Sequence, residues 1–355
     1  CPHGCDRALE FAILTALGMK GRQVLGLIVL EALMVGLGGA AVALGFGGSV
    51  AYYLSTRGVN FGALMCDDRS FGDIRLDPYL YGSFGPWLIW QQPHPLFYAE
   101  QNYRVDPSKR ILEKWKEVVF ETAEFMASYA HPNQKTGKYE LGPWLINAAE
   151  NNSHTKHETV NPAFELAYWR YGLRIACQWR ERMGIPENRE WKKVLDNLAP
   201  LPVENGVYVM YEGVPNMWAE YNRSHIDVIG TGAFLPSDGV DEDVLGRTVE
   251  KALAEWNMDS TWGWDFPWLA MAAARAGKAR QAVDVLLMDH RKNAYSVCGV
   301  NQGGPAAAYF PGNGGLLYAV AMMAAGWDGA PNRHAPGFPD NGKWIIRHEN
   351  LHPLP

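Results

Sequence analysis

Asn161-Pro-Ala-Phe-Glu-Leu-Ala-Tyr-Trp-Arg-Tyr-Gly-Leu-Arg-Ile-Ala-Cys-Gln-Trp-Arg-Glu-Arg-Met-Gly184 holds a helix start, an apolar stripe and a stop within 24 positions. Asn161 stands where an N-cap belongs, and Pro162 falls in the first turn, where no backbone N–H is needed. Phe164, Leu166, Ala167, Trp169, Leu173, Ala176 and Trp179 then recur at helical spacing as far as Met183, and Gly184 ends the segment. The spacing predicts a long helix between Asn161 and Gly184.

Working outward, the same period recurs on both sides. Between Ser108 and Tyr129, residues Ile111, Leu112, Trp115, Val118, Val119 and Phe125 gather largely on one face, with charges opposite. Residues 265–276 and 279–290 predict a helical pair around Gly277, and 315–326 another apolar helix. Gly206-Val-Tyr-Val-Met-Tyr211 is the one convincing strand-like run. The reading is mainly α, with long Asn/Gly/Pro-rich loops, where binding residues concentrate on a rigid scaffold.

The chain changes character near Gly85. All 14 tryptophans follow Pro86, whereas Ala32–Thr56 is a run of 25 residues without a charge. About 20 apolar residues cross a bilayer. Gly36/Ala40, Ala41/Gly45 and Gly47/Ala51 repeat small residues at a spacing that suits close helix contact in lipid, and Tyr52 and Tyr53 suit the interface. One transmembrane-type helix is expected over about 32–54, with a membrane partner for that segment and a helical domain from residue 86 onward. A net charge of −6 and a pI near 5.9 provide no basic stripe for nucleic acid. Five scattered cysteines make no disulfide framework, and Cys1-Pro-His-Gly-Cys5 falls short of the four ligands a structural zinc requires.

Four clusters after Pro86 carry functional side chains. Glu150 ends an apolar stretch containing Trp144, Leu145 and Ile146, where desolvation would raise a carboxyl pKa toward that of a general acid. His94, between two prolines that favour an extended backbone, precedes Glu100, Asn102 and Arg104, with Phe97, Tyr98 and Tyr103 interleaved. Aromatic faces beside hydrogen-bonding groups suit a sugar, and core rings and helix caps would use the same residues. Thr261-Trp-Gly-Trp-Asp-Phe-Pro-Trp268 sets three indoles around Asp265, as a stacking wall with a carboxylate or as a capped helix start. Ala308-Tyr-Phe-Pro-Gly-Asn-Gly-Gly-Leu316 reads as a glycine-rich loop leading into a helix. No Lys-Ser/Thr follows it, so it is not a phosphate loop.

Two resemblances attach to these residues. Glu10-Phe-Ala-Ile-Leu-Thr-Ala-Leu-Gly-Met-Lys-Gly-Arg-Gln-Val, with Val29-Leu-Glu-Ala32 and the Gly-rich span, resembles permease subunits of lipoprotein-releasing and macrolide-exporting ABC transporters. That likeness implies a cytoplasmic N-terminal flank and an extracytoplasmic remainder if 32–54 insert. Residues 86–355 resemble the (α/α) six-hairpin glycoside hydrolase superfamily, with fucosidase-like and maltose-phosphorylase-like members nearest. The segments carrying it are His94…Glu100-Gln-Asn102-Tyr103, Glu150-Asn-Asn with Asn161-Pro-Ala-Phe-Glu165, Gly263-Trp264, and Phe310-Pro-Gly-Asn-Gly.

The second resemblance implies a partial (α/α)6 barrel without its N-terminal helices, a carbohydrate substrate, and neither metal nor organic cofactor. Glu150 matches the acid, and Glu100 or Asp265 is left as base, because Pro311 stands at the family's base aspartate. Leu96 and Tyr98 replace the asparagines that support that base. His94, Asn102, Trp144, Asn161, Trp262, Trp264 and Asn313 are the implied sugar contacts. Rival readings are a transporter permease fragment and a catalytically inactive carbohydrate-binding protein on a chimeric chain.

Overall fold

A computed structural model describes residues 87–152, 156–233, 235, 239–304 and 308–355. All of these fall in one unit. The expected transmembrane run, the Cys1–Cys5 stretch and the junction near Gly85 lie outside the described residues. Among the described residues, no helix is long and apolar enough to cross a membrane.

The described part is mainly helical. Helix α1 spans His94–Val105 and α2 Lys109–Tyr129. Helix α3 is Ala163–Arg182 and α4 Arg189–Asn197, followed by a short α5 at Met217–Glu220 and a 3-10 helix at Asp227–Gly232. Helices α6 (Glu242–Glu255), α7 (Asp265–Arg275), α8 (Ala279–Leu286) and α9 (Phe310–Ala325) complete the order. Sheet is confined to two antiparallel pairs, His131–Pro132 with Tyr139–Glu140 and Val203–Glu204 with Val207–Tyr208. The strand-like run at 206–211 thus forms only two paired residues.

Two helices are buried nearly all round and organise the rest. In α3, 13 of 20 residues are buried, which is more than a single amphipathic face supplies. Its Trp169 and Trp179 indoles donate to the carbonyls of Met126 and Leu112 on α2, at 2.8 and 3.2 Å. Every residue of α7 is buried, with Asp265 at its positive N-terminus and Arg275 at its negative C-terminus. The 3-10 helix packs on α3, α6 and α7, and α7 also packs against α8 and α9. Gly230 permits that contact, since a Cβ there would overlap Trp268 and Phe164.

Helix ends explain where the boundaries moved. Asn188 accepts the amides of Glu190 and Trp191, and Asp241 accepts that of Val244, so α4 and α6 start on conventional caps. Asn161 does not cap α3. Its backbone is left-handed (φ 55°), and its side chain accepts from Leu141 N–H and donates to Glu212. His94 is not extended but opens α1, because Pro95 sits in the first turn, where its missing N–H removes no bond. The glycine-rich stretch at 308–316 is helical from Phe310, again with proline in the first turn. Gly315 lies so close to Pro267 of α7 that a Cβ would come within 2.8 Å, so this glycine serves helix packing and not loop freedom.

Candidate active site

Four helix starts and the start of the 3-10 helix are linked by contacts, and their first residues make the site. Trp90, one turn before α1, contacts Phe164 at the start of α3 and Trp264 at the start of α7, with ring centroids 6.2 and 6.3 Å apart. His94 lies 5.9 Å from Tyr168, and Phe164 meets Trp268 edge-on at 5.2 Å. Trp264 stacks on Trp268 at 5.4 Å with planes 13° apart. Between α1, α7 and α9 opens an aromatic cleft of about 320 Å³, lined by His94, Phe97, Tyr98, Trp264, Trp268 and Pro311 among others. This volume is in the range of small-molecule sites. Burial pulls the His94 imidazole below its ordinary pKa, so near pH 7 it is a neutral ring.

Asp265, at the first turn of α7, is fully buried beside this wall. Its carboxylate accepts from the amides of Trp262 (2.8 Å) and Ile226 (3.1 Å), and His225 Nδ1 lies 3.1 Å away. The Trp264 indole also points at His225 Nδ1, at 2.9 Å. One ring nitrogen cannot both accept from Trp264 and donate to Asp265, so these two bonds are alternatives set by the imidazole proton. Asp265 thereby ties the 222–227 segment to α7, and both its oxygens are engaged.

Of the sequence-derived site residues, His94 and Trp264 line the cleft. Trp262 adjoins them, 5.7 Å from Tyr309 before α9 and beneath the Lys292 ammonium. Asn313 braces the neighbouring loop, accepting from Asn301 N–H and donating to Gly299 carbonyl. Glu100 and Asn102 are elsewhere. They lie six and eight residues beyond His94, about 9 and 12 Å along the axis at the helical rise. Glu100 is buried in ion pairs with Arg182 (2.5 Å) and Arg104 (3.0 Å), while exposed Asn102 accepts from Trp115. Glu100, a base candidate from the sequence, is thus an ion-pair partner of two arginines in this structure. Two guanidinium groups hold its carboxylate away from the cleft.

Glu150 differs from expectation in its surroundings. It is exposed, and Leu145 and Ile146 are buried beneath its turn without covering its carboxyl. Its backbone is left-handed, at φ 59°, a conformation costing a non-glycine residue roughly 1–2 kcal/mol. The turn is fastened on every side. Glu150 N–H donates to Asn147 carbonyl, and Asn147 N–H to Asn152 Oδ1. Asn151 Nδ2 donates to the Tyr221 and Arg223 carbonyls, and Asn152 Nδ2 to Thr159. Trp144, also left-handed at φ 63°, is half-exposed between Trp87 and His157.

Beneath this turn lie two carboxyls that periodicity did not single out. Glu165, in the first turn of α3, and Asp227, opening the 3-10 helix, are both fully buried. Burial pushes Asp227 up to about 7, and Glu165 is driven well above the carboxylate range by burial and then by nearby Asp227. A charge on Asp227 therefore works against a second charge on Glu165. Asp227 Oδ2 accepts from Asn147 Nδ2 at 2.5 Å. The amides of Ala149 and Ala148 face Asp227 and Glu165 in turn and favour their charged forms, although neither Glu165 oxygen makes a well-formed hydrogen bond. The sequence signal was a lone acid inside an apolar run, Phe164-Glu-Leu and Ile226-Asp-Val.

Comparison with known proteins finds two different likenesses. Residues 6–74 match the FtsX-like permease C-terminal family. A 1,2-alpha-glucosylglycerol phosphorylase of Bacillus selenitireducens is 26% identical over 182 residues, 48% of this chain. The match spans 23% of that relative's length. Both resemblances drawn from the sequence are thus supported, the permease-like one by the first match and the glycosidase-like one by the second.

Proposed function

We propose that the helical portion cleaves a glycosidic bond, with Glu150 protonating the leaving oxygen and the aromatic cleft holding a sugar ring. The observation that carries this reading is a solvent-facing glutamate kept in a left-handed conformation on a fastened turn. Backbone strain at an exposed residue is retained where its direction matters. Rings such as Trp264 and Trp268 offer flat apolar faces to a pyranose, and His94 a polar edge. In this reading the helices form part of an (α/α)6 barrel, and residues 1–85 are a separate permease-like segment with a membrane helix at 32–54. If those residues insert, the helical portion is extracytoplasmic.

Hydrolysis needs a second carboxyl to activate water. With Glu100 in ion pairs, Asp265 is the remaining candidate, and its oxygens are already occupied. A second reading therefore has inorganic phosphate as the attacking group, since an anion needs no base, and the name of the phosphorylase relative favours it. The inactive sugar-binding protein is the third outcome.

The test compares the full chain with Glu150→Gln on glycosides with unactivated leaving groups, with and without phosphate. The expected loss is the roughly 10²–10⁴-fold typical of a missing general acid. Equal turnover by the two proteins would remove Glu150 from the reaction.

A further inference from the structure

Among the buried side chains that reach the Glu150 turn, Thr159 accepts from Asn152 at its far end and Asp227 accepts from Asn147 at its near end. Asp227 opens the 3-10 helix, and the residue before it is pinned, because Ile226 N–H donates to Asp265 Oδ1 at 3.1 Å. From that fixed point its carboxyl accepts from Asn147 Nδ2 at 2.5 Å and faces the amide of Ala149, the residue preceding Glu150. Glu165 faces the amide of Ala148 from α3. The hydrogen bond to Asn147 thus joins the 3-10 helix to the turn across 80 positions in sequence. Asn147 is fully buried, and its own amide donates to Asn152, so a displacement at Asp227 is carried through Asn147 to both ends of the turn.

We infer that Asp227 is a positioning residue for Glu150: acting through its hydrogen bond to buried Asn147, it sets the direction in which the Glu150 carboxyl leaves the turn. Asp227 and Glu165 are buried and do not touch substrate in this arrangement; their effect reaches the reaction only through the turn. A loosened turn leaves the carboxyl present but misdirected, and misplacement by about 1 Å can cost on the order of 100-fold. The inference rests on the reading of Glu150 as proton donor, but its structural half does not.

Two variants of the full chain test it from opposite ends of the same bond, Asp227→Asn and Asn147→Ala. Amide exchange is the first readout. Both variants are expected to speed exchange at Ala148–Asn152 by tenfold or more, while α3 keeps its protection. The second readout is leaving-group dependence. Cleavage of unactivated glycosides should fall 10- to 100-fold, and that of glycosyl fluorides, whose departure needs little protonation, by less than threefold. Unchanged exchange in the turn of both folded variants would overturn the inference, whatever the activity. Equal losses on the two substrate classes would also overturn it, since a purely structural defect does not distinguish leaving groups. If the parent chain cleaves nothing, the reading of Glu150 fails, and the exchange measurement still decides whether Asp227 holds the turn. Should Asp227→Asn not fold, Asn147→Ala carries the same test with the buried carboxyls intact.

Discussion

Replacing Asp227 by asparagine should alter how stability depends on pH, with a sign opposite to that of most native carboxylates. Burial raises this side chain from 3.8 to about 7 in the folded protein. The unfolded chain releases the proton near pH 4, whereas the folded protein keeps it until near pH 7. Stability from this group is therefore complete below pH 4, is lost as pH rises through the interval, and stays low above pH 7. At about 1.4 kcal/mol per unit for one proton, the loss between pH 5 and pH 8 is about 2–3 kcal/mol. Glu165 acts in the same direction, as the second member of the pair. Tyr129 and Tyr168 feel the Glu165 charge and titrate far above this range, and His225 favours the ionised form of Asp227.

Asparagine keeps the shape and removes the Asp227 titration, so the difference between the two proteins reports Asp227 together with its effect on Glu165. Urea unfolding of both full chains at pH 5, 6, 7 and 8, followed by tryptophan fluorescence, measures it. At pH 5 Asp227 is protonated and, like asparagine, presents one carbonyl oxygen and one donor, so the two proteins should differ least there. By pH 8 its stability relative to the parent should improve by about 2–3 kcal/mol. Parallel curves would mean that Asp227 titrates as an ordinary solvated aspartate, and the buried pair beneath the turn would be refuted.

Three other substitutions have defined outcomes. Glu100→Gln weakens the bonds to Arg104 and Arg182 and should cost about 1.5–3 kcal/mol, with turnover of the folded variant unchanged; an activity loss would restore it as a catalytic candidate. Glu150→Asn places a residue that tolerates left-handed backbone at φ 59°, so thermal unfolding should show roughly 1 kcal/mol of added stability while cleavage is lost. Trp264→Ala removes one wall of the cleft, and the KM for sugar should rise about tenfold, as expected for an aromatic contact worth roughly 0.5–1.5 kcal/mol beyond its area.

Legibility of the fold followed periodicity. Helices α2, α3, α7 and α8 were visible because apolar residues recur at helical spacing, with Gly184 and Gly277 ending α3 and α7. The starts of α1 and α9 were hidden, since proline and glycine read as loop residues until a neighbouring helix gives them a packing role. In the candidate site, the aromatic wall was legible as composition, and Trp264 and His94, singled out that way, line the cleft. The surroundings of Glu100 were only half legible. Its i,i+4 partner Arg104 is visible in the sequence, but Arg182, which completes the pairing, is 82 positions away. Asp227 and Glu165 escaped because a single acid in an apolar segment acquires its chemistry only from what is folded over it.

Whether Glu150 breaks a glycosidic bond, as proposed above, is decided by analysis of products. The most direct measurement incubates the full chain with a panel of glucosides, with and without inorganic phosphate, and resolves the products by mass. The account predicts a released sugar or sugar phosphate from at least one substrate and its loss in Glu150→Gln. Bound but uncleaved sugars across the whole panel, under both conditions, would contradict it and leave a carbohydrate-binding protein.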